Sequence, residues 1–214
     1  MRLFRNWFLN CLVILGSVTS LAQDPGKLMN GTAAIINKKV VTVQDAFIFK
    51  ALQRLKTGLE PVVLEEEGDE LKKTIQKIVF EEMVFAEMKS IQKEINVQNE
   101  VDRWFKDKKG KAKGLELIKK HYSQTDAEIL KKIAKTLSAD RFVQLKIETV
   151  TPVITEDEVQ KYFKRNEAQF RGRSYENLKP TIVVLLKKQA VQKNLEEWIK
   201  SLKDKYEVTM LLDS

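Results

Sequence analysis

The sequence predicts a mainly α-helical fold with a small β-sheet that joins the two ends of the chain. Charged residues make up 32% of the 214 residues, lysine and glutamate are interleaved throughout, and there are only four prolines and eight glycines. This composition is typical of a helical soluble protein. Capping boxes of the type Thr-x-x-Glu begin at Thr125 and Thr155 and mark helix starts. Residues 33–41 and 207–212 are β-prone, and because an isolated terminal strand is unstable, we expect the two ends to pair.

The helices are predicted from hydrophobic periodicity and from residues that start or stop a helix. They cover residues 42–58, 71–95, 98–108, 115–122, 125–149, 155–169 and 180–205. The helix at 71–95 is apolar around most of its circumference, which predicts a central position. Pro180 suits the first turn of the last helix, after a preliminary helical turn at 174–179.

Two charged segments are predicted to be solvated loops between helices. The first is acidic and carries Glu65, Glu66, Glu67, Asp69 and Glu70. The second is basic and contains Gly110 and Gly114 among Lys106, Lys108, Lys109, Lys111 and Lys113. No aromatic residue is interleaved in the basic run, as a nucleic-acid stacking surface would require.

The first residues have the order of a secretory signal peptide. Arg2 and Arg5 precede an apolar run at residues 12–15, and Ser20-Leu21-Ala22 offers a small-x-small cleavage site. The apolar stretch is shorter than the roughly 20 residues that span a bilayer. We therefore expect residues 1–22 to be a signal peptide that is cleaved after about Ala22. The alternative is an uncleaved anchor or a buried N-terminal helix.

Cleavage would leave residues 23–31 as a mobile leader and residues 32–214 as one domain in a bacterial periplasm. The formal net charge of the full chain is +8, which in other settings indicates nucleic acid or an anionic membrane. Because an exported protein works away from nucleic acid, we expect no nucleic-acid partner. We also expect no stable membrane insertion after cleavage.

The residue inventory points away from catalysis. His121 is the only histidine and Cys11 the only cysteine, and the latter falls in the predicted signal peptide. The remaining chain therefore has no nucleophile–base pair and no zinc cluster. We expect no catalytic, metal-binding or cofactor-binding residue, and we interpret His121 as an exposed residue at a helix end. Glu81 and Glu82 are adjacent carboxylates, but neighbours along a helix point apart.

The order of elements resembles a known family. Residues 33–42, residues 153–163, and the closing helix with Trp198 followed by residues 208–212 together resemble the N-terminal domain of SurA-like periplasmic chaperones, which are related to PrsA and other parvulin-type foldases. The likeness covers nearly all of residues 32–214. Between Phe170 and Tyr175 only four residues remain, where a parvulin isomerase domain would need on the order of a hundred. The resemblance therefore implies a chaperone module without its isomerase domain.

The function that this resemblance implies is ATP-independent holding of unfolded or partly folded exported proteins, including outer-membrane proteins. Soft and aromatic side chains suit the binding of varied apolar segments. The candidate client-binding residues are Phe80, Met83, Phe85, Met88, Trp104, Phe105 and Phe142. For each of them, an ordinary place in the hydrophobic core is the alternative.

Two other functions remain open on the sequence. The same module could serve as an adaptor that binds one folded partner in an envelope assembly, and client breadth separates this from a holdase. An active prolyl isomerase is disfavoured, because the catalytic domain is missing and the parvulin-like site of this family involves paired histidines.

Overall fold

A computed structural model describes residues 31–60, 68–106, 108–170 and 172–212, with the side chains of 105–111 outside the description. The predicted signal peptide lies outside the described residues, and so does the predicted leader except Gly31. Eight helices and three short strands occur in the described part, so the prediction of a mainly helical fold with a small sheet is confirmed. The elements are β1 Thr32–Ile36, β2 Lys39–Thr42, α1 Val43–Lys56, α2 Gly68–Ser90, α3 Gln98–Lys106, α4 Lys108–Tyr122, α5 Asp126–Val150, α6 Glu156–Arg165, α7 Glu167–Phe170, α8 Tyr175–Lys205 and β3 Val208–Met210.

The sheet is antiparallel and has the order β2-β1-β3. A two-residue turn joins β1 to β2, and its first residue, Asn37, has a positive φ of 52°, as hairpin turns of this length require. On the other side of β1, Ile35 lies opposite Thr209. The prediction that the two ends of the chain meet in one sheet is confirmed.

The main core lies between the sheet and six helices, α1 to α5 and the second half of α8. Its centre is α2, which packs against α1, α5, α8 and β1, as the apolar circumference of this helix predicted. Ala33 and Ala34 of β1 and Ile75 of α2 are completely buried. Small side chains on β1 let α2 lie close to the sheet.

A second, smaller apolar cluster holds α6 and α7 against the first half of α8. Its buried residues are Val159, Leu178 and Ile182. Phe163 stacks on Phe170 with 5.4 Å between ring centroids. With 31 residues, α8 is about 46 Å long, so its second half also reaches the main core.

The two predicted capping boxes, at Thr125 and Thr155, form, and a third that was not predicted forms at Thr42. The threonine hydroxyl accepts a hydrogen bond from the third helical N–H, and the acidic side chain at that position accepts one from the threonine N–H, which satisfies two otherwise unpaired donors. This occurs at Thr42–Asp45, Thr125–Glu128 and Thr155–Glu158. Three of the helix starts are therefore fixed by local sequence.

Both predicted charged loops need correction. The basic segment is helical, because α4 begins at Lys108 and includes Gly110 and Gly114. Lysine, alanine and leucine are good helix formers, and burial of Ile118 and Tyr122 holds this helix on the core, which outweighs the cost of two glycines. In the acidic segment, Asp69 and Glu70 lie in the first turn of α2, where carboxylates favour the helix dipole. Residues 65–67 lie outside the described part.

The prediction for Pro180 is also wrong in position. It lies inside α8, which begins at Tyr175 rather than at the proline. A proline there removes one hydrogen bond, the one to the carbonyl of Glu176, because its ring nitrogen carries no hydrogen. Burial of Leu178 and Ile182 on either side stabilises the continuous helix.

Candidate functional site: a cleft between two helices and a strand edge

The seven candidate client-binding residues do not form one exposed surface. Met83, Met88, Trp104 and Phe142 are buried in the main core, and Phe80 and Phe85 are half-buried against it. The side chain of Phe105 lies outside the described part of the structure. Core packing, the alternative that the sequence left open, thus accounts for at least the four buried residues. Trp104 has a second role, because it also lines a surface cleft.

This cleft has a volume of about 390 Å³ and lies between β2 and α1 on one side and α5 on the other. Its apolar lining is supplied by side chains from five elements: Val40, Val41, Phe49, Leu52, Ile78, Trp104, Ile133 and Leu137. Its polar lining consists mainly of Lys39, Asp45, Lys56, Glu81, Glu82, Glu128, Lys131, Lys132 and Lys135. The cleft is therefore amphipathic, with apolar side chains from five elements and charged side chains from β2, α1, α2 and α5.

Ion pairs connect α1 and α5 across the cleft. Lys132 Nζ lies 2.8 Å from Asp45 Oδ1, and Lys56 Nζ lies 2.9 Å from Asp140 Oδ2. Burial tends to raise the pKa of Asp45, but hydrogen bonds from Lys132 and Thr42 and the lysine charge together lower it below its usual value. Asp45, which completes the capping box of α1, therefore also holds α5 against α1.

A second group of charges joins α2 to α5 and to β2. The Glu82 carboxylate accepts from Lys135 and from Lys39, whose Nζ lies 2.5 Å from Oε1. Thr136 Oγ1 donates a 2.9 Å hydrogen bond to Glu81 Oε1. Adjacent on α2, the two carboxylates thus have different partners although both line the cleft.

Burial raises the pKa of Glu81 to about 7, although the charge of Lys135 and the hydrogen bond from Thr136 act in the opposite direction. Burial lowers the pKa of Lys135, and its hydrogen bond to Glu82 opposes that effect. Near neutral pH, Glu81 is therefore partly protonated. The cleft wall carries less negative charge than its carboxyl groups alone suggest.

Replacement of Glu81 by glutamine is expected to increase the free energy of unfolding at pH 8 by about 2–3 kcal/mol and to reduce its dependence on pH. The folded-state pKa of Glu81 is raised above the unfolded value, so this group destabilises the fold when it ionises. Its penalty is absent below the ordinary pKa of 4.5, grows as the pH rises to about 7, and is constant above that. Urea unfolding at pH 5 and pH 8 measures both quantities.

The matched control is Glu148→Gln on α5, because Glu148 is exposed. In this control, the difference in the free energy of unfolding between pH 5 and pH 8 should be the same as in the unchanged protein. If Glu81→Gln and Glu148→Gln gave the same pH dependence, Glu81 would not titrate in the way that its burial requires.

The single histidine, His121, does not line the cleft. His121 is exposed in the last turn of α4 and packs edge-on against Tyr122, with 4.7 Å between ring centroids, so its predicted place at a helix end is confirmed. No group of three or more histidine, cysteine or acidic side chains that could hold a metal ion occurs in the described residues. None of the helices described here is long and apolar enough to cross a membrane.

The fold and the cleft define a mainly helical protein whose small, open sheet includes the late strand β3 and borders an amphipathic cleft. No family model matches the chain, and neither a curated protein nor a solved structure matches it.

Sequence reasoning did not identify the cleft. Phe49, Leu52 and Ile133 fit the inner sides of two helices, and nothing in their spacing indicates that α1 and α5 leave a gap between them. The one feature of the sequence that relates to the cleft is Asp45, which belongs to a capping box and also pairs with Lys132. That second role depends on two residues 87 positions apart in the chain.

Proposed function

We propose that the protein is an exported, ATP-independent holdase that binds apolar segments of unfolded proteins reversibly. The observation that carries this proposal is the cleft between α1 and α5, where the partly exposed side chains of Phe49 and Leu52 line the same space as Ile133 and Leu137, together with charged side chains. The resemblance to SurA-like chaperones is a second support. Export, with removal of residues 1–22, forms part of the same proposal.

The size of the cleft favours weak and reversible binding. Each Å² of apolar surface that a client removes from water contributes about 25 cal/mol, whereas ordering a disordered segment costs several kcal/mol. We therefore expect micromolar affinities, which correspond to roughly −8 kcal/mol. Release at this affinity needs no nucleotide hydrolysis.

The protein is expected to reduce light scattering by a chemically denatured outer-membrane protein after dilution, without ATP and without accelerating the isomerisation of a proline peptide. Moderate salt should not abolish the effect, since apolar contact dominates the binding energy. Leu52→Gln in the cleft should weaken the suppression several-fold. The same substitution at Leu117, which is 42% exposed on α4 and lies away from the cleft, should leave it unchanged.

Unreduced scattering at several-fold molar excess of the protein would contradict the holdase and favour the adaptor. Equal effects of Leu52→Gln and Leu117→Gln would place client binding elsewhere on the molecule. Isomerisation above background would contradict the argument from the missing domain. An unrelated second client protein in the same assay tests breadth, because an adaptor binds one partner.

A further inference from the structure

The hydrogen-bond pattern of β1 determines which residue of the edge strand β2 directs its main chain away from the sheet. Asn37 N–H donates to Glu207 O at 2.8 Å, and Leu211 N–H donates to Ala33 O at 2.9 Å. Main-chain groups alternate in direction along an antiparallel strand, so Ile35, between these two, also turns its main chain toward β3. Ile35 lies opposite Val40 of β2. The main chain of Val40 is therefore directed away from β1, toward the outer side of the sheet.

That outer side of β2 opens into the cleft. Lys39, Val40 and Val41 all line it, and the Val40 side chain is 48% exposed. Among the described residues, none donates to or accepts from the Val40 main chain across the outer edge. An unpaired strand edge offers one N–H and one C=O to an extended polypeptide, which is the basis of recognition by strand addition.

The neighbouring walls suit the side chains of such a segment. Successive side chains of a strand point to opposite faces, so alternate residues of an added strand would face the apolar wall formed by Phe49, Leu52 and Ile133. A cleft of about 390 Å³ lies within the usual range for sites that enclose a small ligand. Main-chain pairing and apolar contact would therefore involve the same few residues of the bound segment.

The charges favour one kind of segment. Five lysines and four carboxylates line the cleft, Asp140 beside it pairs with Lys56, and one of the lining carboxylates, Glu81, is partly neutral near pH 7. Lys38 is exposed in the turn beside the free edge, and Lys131 is exposed on α5. The surroundings of Val40 are consequently net positive, which attracts a carboxylate next to the apolar residues of a client.

We propose that the outer edge of β2 binds an extended, apolar polypeptide segment flanked by acidic residues, which adds as a fourth strand beside Val40. This inference rests on the proposed holdase function and defines the segments that the cleft selects. Apolar contact supplies most of the affinity, the edge fixes the extended conformation, and the lysines set the preference for acidic flanks.

The test uses synthetic peptides with an alternating valine–threonine core and glutamates at both ends, or lysines at both ends. Fluorescence anisotropy of the labelled peptides should show several-fold tighter binding of the glutamate peptide, and the difference should shrink as salt is raised. Val40→Pro removes the N–H donor at an edge position where proline is tolerated. It should weaken binding about tenfold, whereas Val40→Thr, which keeps the donor, should stay within about twofold.

Hydrogen exchange of the Val40 amide in the unchanged protein gives a second measurement that does not depend on how well Val40→Pro folds. The glutamate peptide should slow this exchange. Unslowed exchange, unchanged affinity of a folded Val40→Pro, or equal binding of the two peptides would overturn the proposal. If the protein suppresses aggregation but gives any of these results, only strand addition fails, whereas absence of suppression contradicts the holdase itself.

Discussion

Replacement of Trp198 by alanine is expected to lower the free energy of unfolding by about 3–5 kcal/mol, as removal of large buried aromatic side chains generally does. Trp198 is only 8% exposed and lies where α8 meets α2 and α5. Its ring contacts Phe80 and Phe142, each with 6.3 Å between centroids, and Lys146 Nζ lies 5.6 Å from its centroid. The substitution thus leaves a cavity and also removes aromatic and cation–π contacts. Equilibrium urea unfolding measures the change.

The matched control is Val184→Ala on the same helix, because the Val184 side chain is 67% exposed. It should change the free energy of unfolding by less than about 0.5 kcal/mol. A loss of similar size in both variants would show that α8 contributes through its own helical stability and not through packing at Trp198.

Deletion of residues 208–212 is expected to cost about 3–5 kcal/mol. It removes β3 together with the half-buried side chains of Val208, Met210 and Leu212. It also exposes one edge of β1, whose Ala33 and Ala34 are completely buried. The expected loss combines about 1 kcal/mol for each half-buried side chain with the exposure of the core beneath them. Thermal unfolding should show a clear fall in melting temperature.

Thr209→Ala is the control for this deletion, because Thr209 belongs to β3 and its side chain is exposed. The strand and its core contacts remain in this variant, so its melting temperature should differ little from that of the unchanged protein. An unchanged melting temperature in the deletion variant would contradict the pairing of β3 with β1.

The sequence alone determined the features that depend on near neighbours. The helix starts at Thr125 and Thr155 were predictable because a capping box is complete within four residues. The central position of α2 was predictable because its apolar residues cover most of its circumference. The strand pairing followed from the rule that an isolated terminal strand is unstable.

Local rules failed where tertiary packing outweighed them. Gly110 and Gly114 predicted a loop, yet α4 continues through both because Ile118 and Tyr122 are buried in the core. Similarly, α8 begins before Pro180, because the small cluster around Leu178 stabilises its first turns. In both segments, the cost of placing glycine or proline within a helix, about 1–3 kcal/mol per residue, is smaller than the stabilisation from burying several apolar side chains.

The cleft is the feature that only the tertiary structure decided. Its walls come from residues that the chain brings together across more than 80 positions, as the pair Asp45 and Lys132 illustrates. Periodicity indicates which side of a helix is apolar, but it does not tell whether that side meets another helix or borders an open gap. The raised pKa of Glu81 and the free edge at Val40 arise in the same way, because burial and strand order are properties of the assembled fold and not of the local sequence.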